Sequence, residues 1–327
     1  MRIRRSAGVL AAAGALAGSL VLSGCSGTGK ESTAAPSGGS VDMTVAVISH
    51  GAPGDAFWDV VKSGADRAGK DLGVKVDYNS DPDPTRQSEL IDNAVSRKVD
   101  GIVVSMANPD GVEDAVKAAV KAGIPVVTIN SGAEQSAAFG AIAHVGQDEG
   151  VAGRAVGDRL NSEGQKGKVL CVIHEAGNVG LENRCAGIAA TYSGQVENLQ
   201  VDGTDSAQIG DTLLSKLQSD PSVGAVVTLN GQVATAAVQA QQQAGTKAQI
   251  DTFDLSSDVT TAIQKGTIGF AVDQQPYVQG YLGVQFLYLD KINGNVVGGG
   301  QPVLSGPAFV DKTNAAQVAT YAKGGTR

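Results

Sequence analysis

Residues 44–72, TVAVISHGAPGDAFWDVVKSGADRAGKDL, combine one strand pattern, one glycine-containing loop and one helix pattern. Thr44–Ser49 is an almost continuous apolar run, which is typical of a strand buried on both faces of a parallel sheet. Ala56–Leu72 has apolar side chains at helical spacing along one side. These side chains are Phe57, Val60, Val61, Ala65 and Ala68. The stretch therefore predicts a strand followed by a helix that packs on the sheet.

The same order of strand and helix repeats along the chain and predicts two α/β halves. The first half continues with strands at 75–78, 101–104 and 125–129 and helices at 85–97 and 110–122. The second half has helices at 148–161, 179–192, 207–220, 232–244 and 257–265, alternating with strands at 168–173, 196–201, 225–229, 249–253 and 268–272. A long helix at 276–292 and a strand-helix pair within 308–322 follow. Since 327 residues exceed one compact core, we predict two open, parallel-sheet α/β lobes.

The N-terminus has the order of features of a secretory signal. Three arginines within the first five residues precede an apolar run at 7–22. The segment Leu22–Cys25, LSGC, resembles the lipobox of bacterial lipoproteins, which implies that 1–24 is a signal peptide and that Cys25 is lipidated. A transmembrane anchor is the alternative, but the run is shorter than the roughly 20 apolar residues a bilayer needs. The expected location is extracytoplasmic, lipid-anchored to the outer face of the cell membrane.

Amino-acid composition characterises the segment after the signal peptide and excludes some classes of binding partner. Residues 25–42 are mostly Gly, Ser, Thr and Ala, which predicts a flexible linker behind the lipidated cysteine. The formal charge is −8, and removal of the signal leaves 22 basic and 33 acidic side chains. This acidic balance argues against nucleic acid or an anionic lipid surface as the main partner.

Two cysteines, Cys171 and Cys185, remain besides the predicted lipidation site. In an oxidising compartment such a pair can form a disulfide. Two separately buried thiols are the alternative, since free cysteine packs as a small hydrophobic side chain. The spacing of the two residues leaves both possibilities open.

Planar polar side chains follow many of the predicted strands. They are His50, Asp55, Asn108, Asn130, His174, Glu175, Asn230, Asp254, Asp273 and Gln274. Each one alone is an ordinary cap or turn residue, but ligands of open α/β sheets bind outside the carboxyl ends of the strands. Amides, carboxylates and guanidinium groups suit the neighbouring hydroxyls of a polyol. Phe57 and Trp58 supply aromatic faces directly after Asp55.

Several motifs are specific when they are taken together. Residues 54–58, GDAFW, stand where one known family commonly has Gly-Asn-Pro-Phe-Phe, and residues 122–130, AGIPVVTIN, match its AGIPVV strand, which usually ends in Asp. Residues 145–148, VGQD, lie at the expected first lobe crossing, and Arg184 falls where the family has a sugar-binding Arg. From about residue 45 to 309 the chain resembles type I periplasmic substrate-binding proteins of the ribose-binding type, which serve sugar ABC importers.

The resemblance implies two doubly wound parallel-sheet lobes joined by three hinge segments, near Gln147, Gln274 and Gln301. The implied N-terminal lobe is 43–146 plus 275–301, and the C-terminal lobe is 147–274 plus 302–323. Phe57 and Trp58 would sandwich the sugar ring. The hydroxyls would be bound by Asp55, Asn130, Gln147, Arg184, Asn230, Asp254 and Gln274. The expected partners are a monosaccharide or polyol and an ABC permease, and the expected protein is a monomer without a cofactor and not an enzyme.

Departures from the family pattern bear on the ligand. Asp55 replaces Asn and Asn130 replaces Asp, so a carboxylate moves from one wall of the site to another. Trp58 in place of Phe widens the stacking face. We therefore expect a pentose, hexose or small sugar alcohol, without assuming ribose. Asp202 is predicted to be an exposed turn residue with little effect on binding.

The sequence lacks the motifs that metal-binding, hydrolytic or nucleotide-binding sites require. The three histidines, His50, His144 and His174, are far apart in sequence and lack zinc-site spacing. The chain has no Gly-x-Ser-x-Gly elbow and no Walker motif. Gly150, Gly153 and Gly157 are spaced three and four apart on a predicted helix, which is typical of close helix packing and not of a dinucleotide loop. Asp55 and Asp254 as a glycosidase pair are disfavoured, because the family captures sugars without cutting them.

A sensor is the alternative function. It would use the same clamp to present a sugar or signal molecule to a membrane receptor instead of a permease. LacI-type repressors share the fold but carry a DNA-binding helix-turn-helix where this chain has its signal and lipobox. The sequence does not separate importer from sensor, because both partners would contact the closed lobes.

Overall fold

The computed structural model describes residues 41–327. The predicted signal peptide 1–24, the lipidation site Cys25 and nearly all of the linker lie outside these residues. Within the described range, no helix has the length and apolarity needed to cross a membrane.

The secondary structure follows the predicted alternation. The elements up to the first crossing between lobes are β1 Thr44–Ser49, α1 Ala56–Leu72, β2 Lys75–Ser80, α2 Pro84–Ser96, β3 Gly101–Ser105, α3 Pro109–Lys121, β4 Val126–Ile129, α4 Ala133–Ser136 and β5 Ala143–Gln147. The next are α5 Glu149–Ser162, β6 Lys168–Ile173, α6 Val179–Thr191, β7 Val196–Gln200, α7 Ser206–Ser219, β8 Val223–Thr228, α8 Gly231–Ala244, β9 Gln249–Phe253, α9 Ser257–Lys265 and β10 Phe270–Asp273. The last are α10 Pro276–Asn293, β11 Val303–Gly306, β12 Ala308–Asp311 and α11 Ala315–Lys323.

The strands form two six-stranded sheets with the same topology. The first has the order β11-β5-β4-β3-β1-β2, and the second has the order β12-β10-β9-β8-β6-β7. In each sheet the first strand, β1 or β6, pairs with strands on both sides, so the chain reverses its direction of strand addition there. This is the doubly wound arrangement, which confirms the predicted fold class. Among the strands of residues 41–327, the one departure from parallel pairing is β12, which runs antiparallel to β10.

The third crossing lies later in the chain than the sequence predicts. Residues 302–306 were expected in the C-terminal lobe, but Val303–Gly306 pairs with β5 of the first sheet. The chain therefore crosses between Gly306 and Ala308 and not near Gln301. β5 and β11 were missed because both are short and contain glycine, which weakens a strand pattern.

Each sheet is buried on both faces. In β1, Val45 and Val47 pack into one hydrophobic cluster, whereas Ala46 and Ile48 pack into another on the opposite face. In β6, Leu170 and Val172 face one cluster, whereas Cys171 faces the other. Helices therefore cover both sides of each sheet, and the ligand-accessible side chains are confined to the strand ends.

Helices α5 and α6 approach each other closely through glycine. A Cβ atom at Gly153 would lie 2.1 Å from the carbonyl oxygen of Arg184. A Cβ atom at Gly157 would lie 2.3 Å from Oγ1 of Thr191, so the predicted packing role is confirmed for Gly153 and Gly157. At Gly150 the nearest atoms belong to Arg154 and Asp148 and not to α6. The contact at Gly153 also brings Arg184, on α6, next to the first turn of α5.

Cys171 in β6 and Cys185 in α6 form a disulfide with a Cα–Cα distance of 5.7 Å. The structure thus decides between the two possibilities that the sequence left open. Closing a loop of about 15 residues contributes about 3 kcal/mol in the chain-entropy model. Because Arg184 precedes Cys185, the bond also fixes the helix turn that carries Arg184.

Candidate ligand-binding cleft

The carboxyl ends of the two sheets enclose a small cavity, which we call the inner cavity. Its lining comes from the loops after β1, β4, β6, β8, β9 and β10 and from the first turns of α1 and α6. The lining residues are His50, Asp55, Phe57, Trp58, Asn130, Ser131, His174, Glu175, Asn178, Leu181, Arg184, Leu229, Asn230, Asp254 and Gln274. Polar side chains from both lobes and one aromatic corner therefore share one space.

Asp55 organises the entrance of α1. Its Oδ1 accepts a hydrogen bond of 2.9 Å from the backbone N–H of Phe57, which caps the helix. Its Oδ2 lies 3.4 Å from Nδ2 of Asn230 in the other lobe. The capping bond thus holds one oxygen of the carboxylate and directs the other into the cleft.

Phe57 and Trp58 form a corner of the cavity. Their ring centroids are 5.1 Å apart with an interplanar angle of 83°. A ring stacked between two parallel faces needs roughly twice the ~3.5 Å contact distance of carbon atoms. The predicted sandwich between Phe57 and Trp58 is therefore wrong, because the two rings contact each other edge to face. Trp58 also packs on His50, with centroids 4.6 Å apart.

A chain of amides joins the lobes at the back of the cleft. Asn130 Nδ2 donates to Gln274 Oε1 over 2.9 Å, and Gln274 Nε2 donates to Asp254 Oδ1 over 2.8 Å. Asn130 and Asp254 occupy matching positions after β4 and β9, with φ of 64° and 67°. Asn and Asp tolerate this left-handed conformation better than most residues, and it allows the chain to turn sharply at the strand end.

Arg184 is held by a carboxylate that sequence reasoning missed. Its Nε and Nη2 donate to the two oxygens of Glu149 over 2.6 and 2.9 Å. Its guanidinium lies 4.7 Å from the ring centroid of Phe253, and its side chain is 3% exposed. This bidentate pairing fixes the plane of the guanidinium at the cavity wall.

Gln147 does not line the inner cavity. Its Nε2 donates to Glu149 over 2.7 Å, so it lies behind Arg184 and acts on the cavity only through Glu149. The predicted hydrogen bond from Gln147 to a ligand is therefore corrected to a supporting contact. The only sequence signal for Glu149 was its place as an acidic residue in the first turn of α5.

The buried carboxyl groups have perturbed acidities. Burial raises the pKa of Asp254 to about 7, although Arg184 and the hydrogen bond from Gln274 act in the opposite direction. Burial also raises the pKa of Asp55. Ligand hydroxyls that donate to these groups would favour the ionised forms.

The lobes touch directly across the cleft. Gln232 Nε2 donates to the carbonyl of Gly54 over 3.1 Å, and the N–H of Val179 donates to the carbonyl of Ala107 over 3.0 Å. About 20 Å³ remains in the inner cavity, which is close to the room for one water molecule. The structure is therefore a closed form.

A family model described as a periplasmic binding protein domain matches residues 45–294. The chain belongs to the periplasmic binding protein family. This confirms the predicted resemblance. Among residues 41–327 of this binding protein, no three His, Cys, Asp or Glu side chains are grouped so that they could hold a metal ion.

Relatives of this periplasmic binding protein include named import proteins. It is 27% identical over 244 residues to a ribose import binding protein from Haemophilus influenzae, covering 72% of this chain and 81% of the relative. It is 25% identical over 258 residues to a fructose import binding protein from Bifidobacterium longum, covering 73% and 77%.

Solved structures show the same similarity. A carbohydrate transporter from Acidothermus cellulolyticus 11B in complex with myo-inositol is 46% identical, with a TM-score of 0.86, covering 88% of this chain and 100% of that one. An ABC transporter solute-binding protein from Burkholderia graminis in complex with D-arabinose is 25% identical, with a TM-score of 0.74, covering 84% and 96%.

Eight of the nine predicted ligand contacts line the inner cavity of this binding protein, and Gln147 is the exception. Their contact with a ligand stays a prediction. The predicted set does not include four further lining residues, Ser131, Asn178, Leu181 and Leu229. Ser131 and Leu229 lie at the ends of β4 and β8, whereas Asn178 and Leu181 belong to the start of α6. His50, His174 and Glu175, which the sequence identifies as polar residues at strand ends without a predicted ligand contact, also line the inner cavity.

Proposed function

We propose that this protein captures one neutral monosaccharide or cyclitol in the inner cavity and delivers it to an ABC importer. The observation that carries the proposal is the set of polar side chains from both lobes around one aromatic corner. A polyol presents hydroxyls around its whole ring, so it needs donors and acceptors on several sides. The cleft offers Asn130, Asn230, Gln274 and Arg184 as donors and Asp55 and Asp254 as acceptors.

The charge of the cavity favours a neutral ligand. Glu149 neutralises Arg184 through two hydrogen bonds, so the cleft contains no unpaired cation for a sugar acid or sugar phosphate. The carboxyl groups of Asp55 and Asp254 are suited to accept hydroxyl hydrogens. Because the 46% identical structure contains myo-inositol, this cyclitol is the first candidate ligand.

Capture involves movement of the lobes about the three crossings. The direct contacts between Asp55 and Asn230 and between Val179 and Ala107 close the cleft. A ring must replace part of these contacts, so the lobes open to admit it and close on it with new hydrogen bonds from both sides. The ligand stabilises the closed state because only that state offers both sets of contacts.

Export and anchoring belong to the same proposal. The relatives named above are binding proteins for import, and LSGC at Leu22–Cys25 resembles a lipobox. We propose that the mature chain begins at lipidated Cys25. The mass of its N-terminal peptide tests this, since an unmodified cysteine or an uncleaved signal would contradict it.

A thermal-shift screen tests the ligand class. The panel contains aldopentoses, hexoses, inositols, short sugar alcohols, amino acids and divalent metals. Ligand at 100-fold excess over its dissociation constant adds about 2.7 kcal/mol to the free energy of unfolding, which raises the melting temperature visibly. We expect a response confined to a few neutral sugars or cyclitols, with myo-inositol among them. A response only to amino acids or metals would contradict the proposed class.

A further inference from the structure

The cleft does not end at the inner cavity. A second space, which we call the outer cavity, adjoins it and shares four lining residues with it: His50, His174, Glu175 and Asn178. This space lies between the loops after β2 and β3 of the first lobe and those after β6 and β7 of the second. It encloses about 490 Å³, within the range of about 300–1,000 Å³ typical of small-molecule sites. It keeps this volume although the lobes are closed around the inner cavity.

The outer cavity has groups that suit a second sugar ring. Asn108 uses its Oδ1 to cap α3, and Gln208 uses its Oε1 to accept from the N–H of Asp202, so both amide NH₂ groups keep donor capacity. Asp202 directs its Oδ1 to Thr204, which leaves Oδ2 as an acceptor. Pro82 and other apolar lining residues add surface for the C–H faces of a ring.

A buried polar atom lies where the two cavities meet. His174 is buried and lines both spaces, and its Nδ1 has no hydrogen-bond partner among the described residues. Its Nε2 lies 3.5 Å from Glu175. An unpartnered buried polar atom is unfavourable, so the imidazole would gain by turning Nδ1 towards a hydroxyl of a ligand that occupies both cavities.

The lining also limits the chemistry of the occupant. Glu175 and Asp202 contribute carboxylates, and no Lys or Arg lines the outer cavity. A phosphate or carboxylate substituent would meet like charge without a counter-ion. The volume is many times the ~30 Å³ of a water molecule, which is far more than a hydroxyl or methyl group needs.

We propose that the outer cavity is a second subsite, which holds a neutral glycosyl group attached to the ring in the inner cavity. This inference rests on the proposed function and extends it: the protein takes glycosides of its cyclitol or sugar as well as the free ring. His174 and Glu175 contact both parts, and the residues of the outer cavity recognise only the glycosyl part.

Calorimetric titration of the purified protein with myo-inositol, a galactosyl-myo-inositol and myo-inositol 1-phosphate tests the subsite. We expect the galactoside to bind roughly tenfold more tightly than myo-inositol, the gain of one or two neutral hydrogen bonds, and the phosphate to bind more weakly. Gln208→Ala should remove most of this gain and leave myo-inositol unchanged. Gln218→Ala, at an exposed position on the same helix outside the cavity, is the matched control.

A blocking variant provides an independent readout. Ala176 lies on an exposed loop and lines only the outer cavity, so Ala176→Trp should exclude the galactoside while myo-inositol still binds. If the unmodified protein binds myo-inositol but does not bind the galactoside, the proposed subsite is overturned and the proposed function stays intact. Equal loss of both ligands in Gln208→Ala, or tighter binding of the phosphate, would also overturn it. Binding of neither neutral compound would contradict the inference together with the ligand class on which it rests.

Discussion

Replacing Arg184 with alanine is expected to weaken ligand binding by about 10- to 100-fold, since a hydrogen bond from a charged donor contributes ~1.5–3 kcal/mol. The guanidinium lines the inner cavity and is held rigidly by Glu149 and the ring of Phe253. The same substitution leaves Glu149 buried without its partner. The free energy of unfolding should therefore fall by about 3–5 kcal/mol. Calorimetric titration and thermal melting measure the two effects separately.

Arg159→Ala is the matched control for Arg184→Ala. Arg159 also pairs with a carboxylate, Glu163, and also lies over a phenylalanine ring, that of Phe270, but it does not line the cleft. The Arg159→Ala variant should have a lower free energy of unfolding than the wild type and the same ligand affinity. The double variant Arg184→Ala with Glu149→Gln should recover stability without recovering affinity. Wild-type affinity in Arg184→Ala would show that this wall of the cleft does not contact the ligand.

Ligand affinity is expected to rise with pH through the pKa of Asp254, which burial raises to about 7. Hydroxyl donors favour the carboxylate, so binding is weaker at pH 6, where more Asp254 is protonated. Asp254→Asn keeps an oxygen for Gln274 but removes the charge. This variant should bind about tenfold more weakly at pH 8, and the pH dependence attributable to Asp254 should disappear. Titrations between pH 5.5 and 8.5 measure both changes.

The stability of the ligand-free protein should fall as the pH rises, whereas the ligand affinity rises. The pKa of Asp254 is raised in the folded state above its ordinary value of 3.8, so folding retains the proton. Between about pH 4 and 7 the folded state binds more protons than the unfolded state, and this contribution to stability is lost as the pH rises. Asp55 and Glu149 raise the pKa of Asp254 further, whereas Arg184 and Gln274 lower it.

Asp251 supplies the control for Asp254. It is fully buried on β9, three residues before Asp254, and burial raises its pKa to about 8. It accepts hydrogen bonds from Gln249 and the N–H of Phe270 and lies outside the cleft. Asp251→Asn should alter stability and leave the affinity and its pH dependence unchanged. An affinity that is independent of pH in the wild-type protein would contradict the role of Asp254.

The sequence predicted most of the fold because local signals were strong. Three elements have the predicted bounds: Thr44–Ser49, Ala56–Leu72 and Gln249–Phe253. Each has a clear apolar run or an apolar period, with turn or cap residues at its ends. The third crossing was misplaced because β11, with sequence VLSG, has no such period. Its place in the first sheet depends on pairing with β5, a contact between residues far apart in the chain.

The sequence predicts which residues line the site better than it predicts which of their side chains contact each other. Side chains at strand ends converge because the strands are parallel, so eight of the nine predicted residues line one cavity. Which side chains pair with each other depends on helix packing. Glu149 meets Arg184 only because Gly153 lets α5 approach α6. The angle between Phe57 and Trp58, and the place of Asp202 in a cavity wall, likewise depend on three-dimensional packing that sequence spacing does not specify.

Titration of the purified protein with myo-inositol, followed by tryptophan fluorescence and calorimetry, tests the central claim most directly. Trp58 is the single tryptophan of the chain and lines the inner cavity, so the tryptophan emission comes from one residue at the proposed site. We expect a saturable change in emission and a matching heat with one site per chain, both strongly reduced in Arg184→Ala. A cooperatively folded protein whose emission and heat do not respond to myo-inositol or to any neutral sugar or cyclitol of the panel would contradict it.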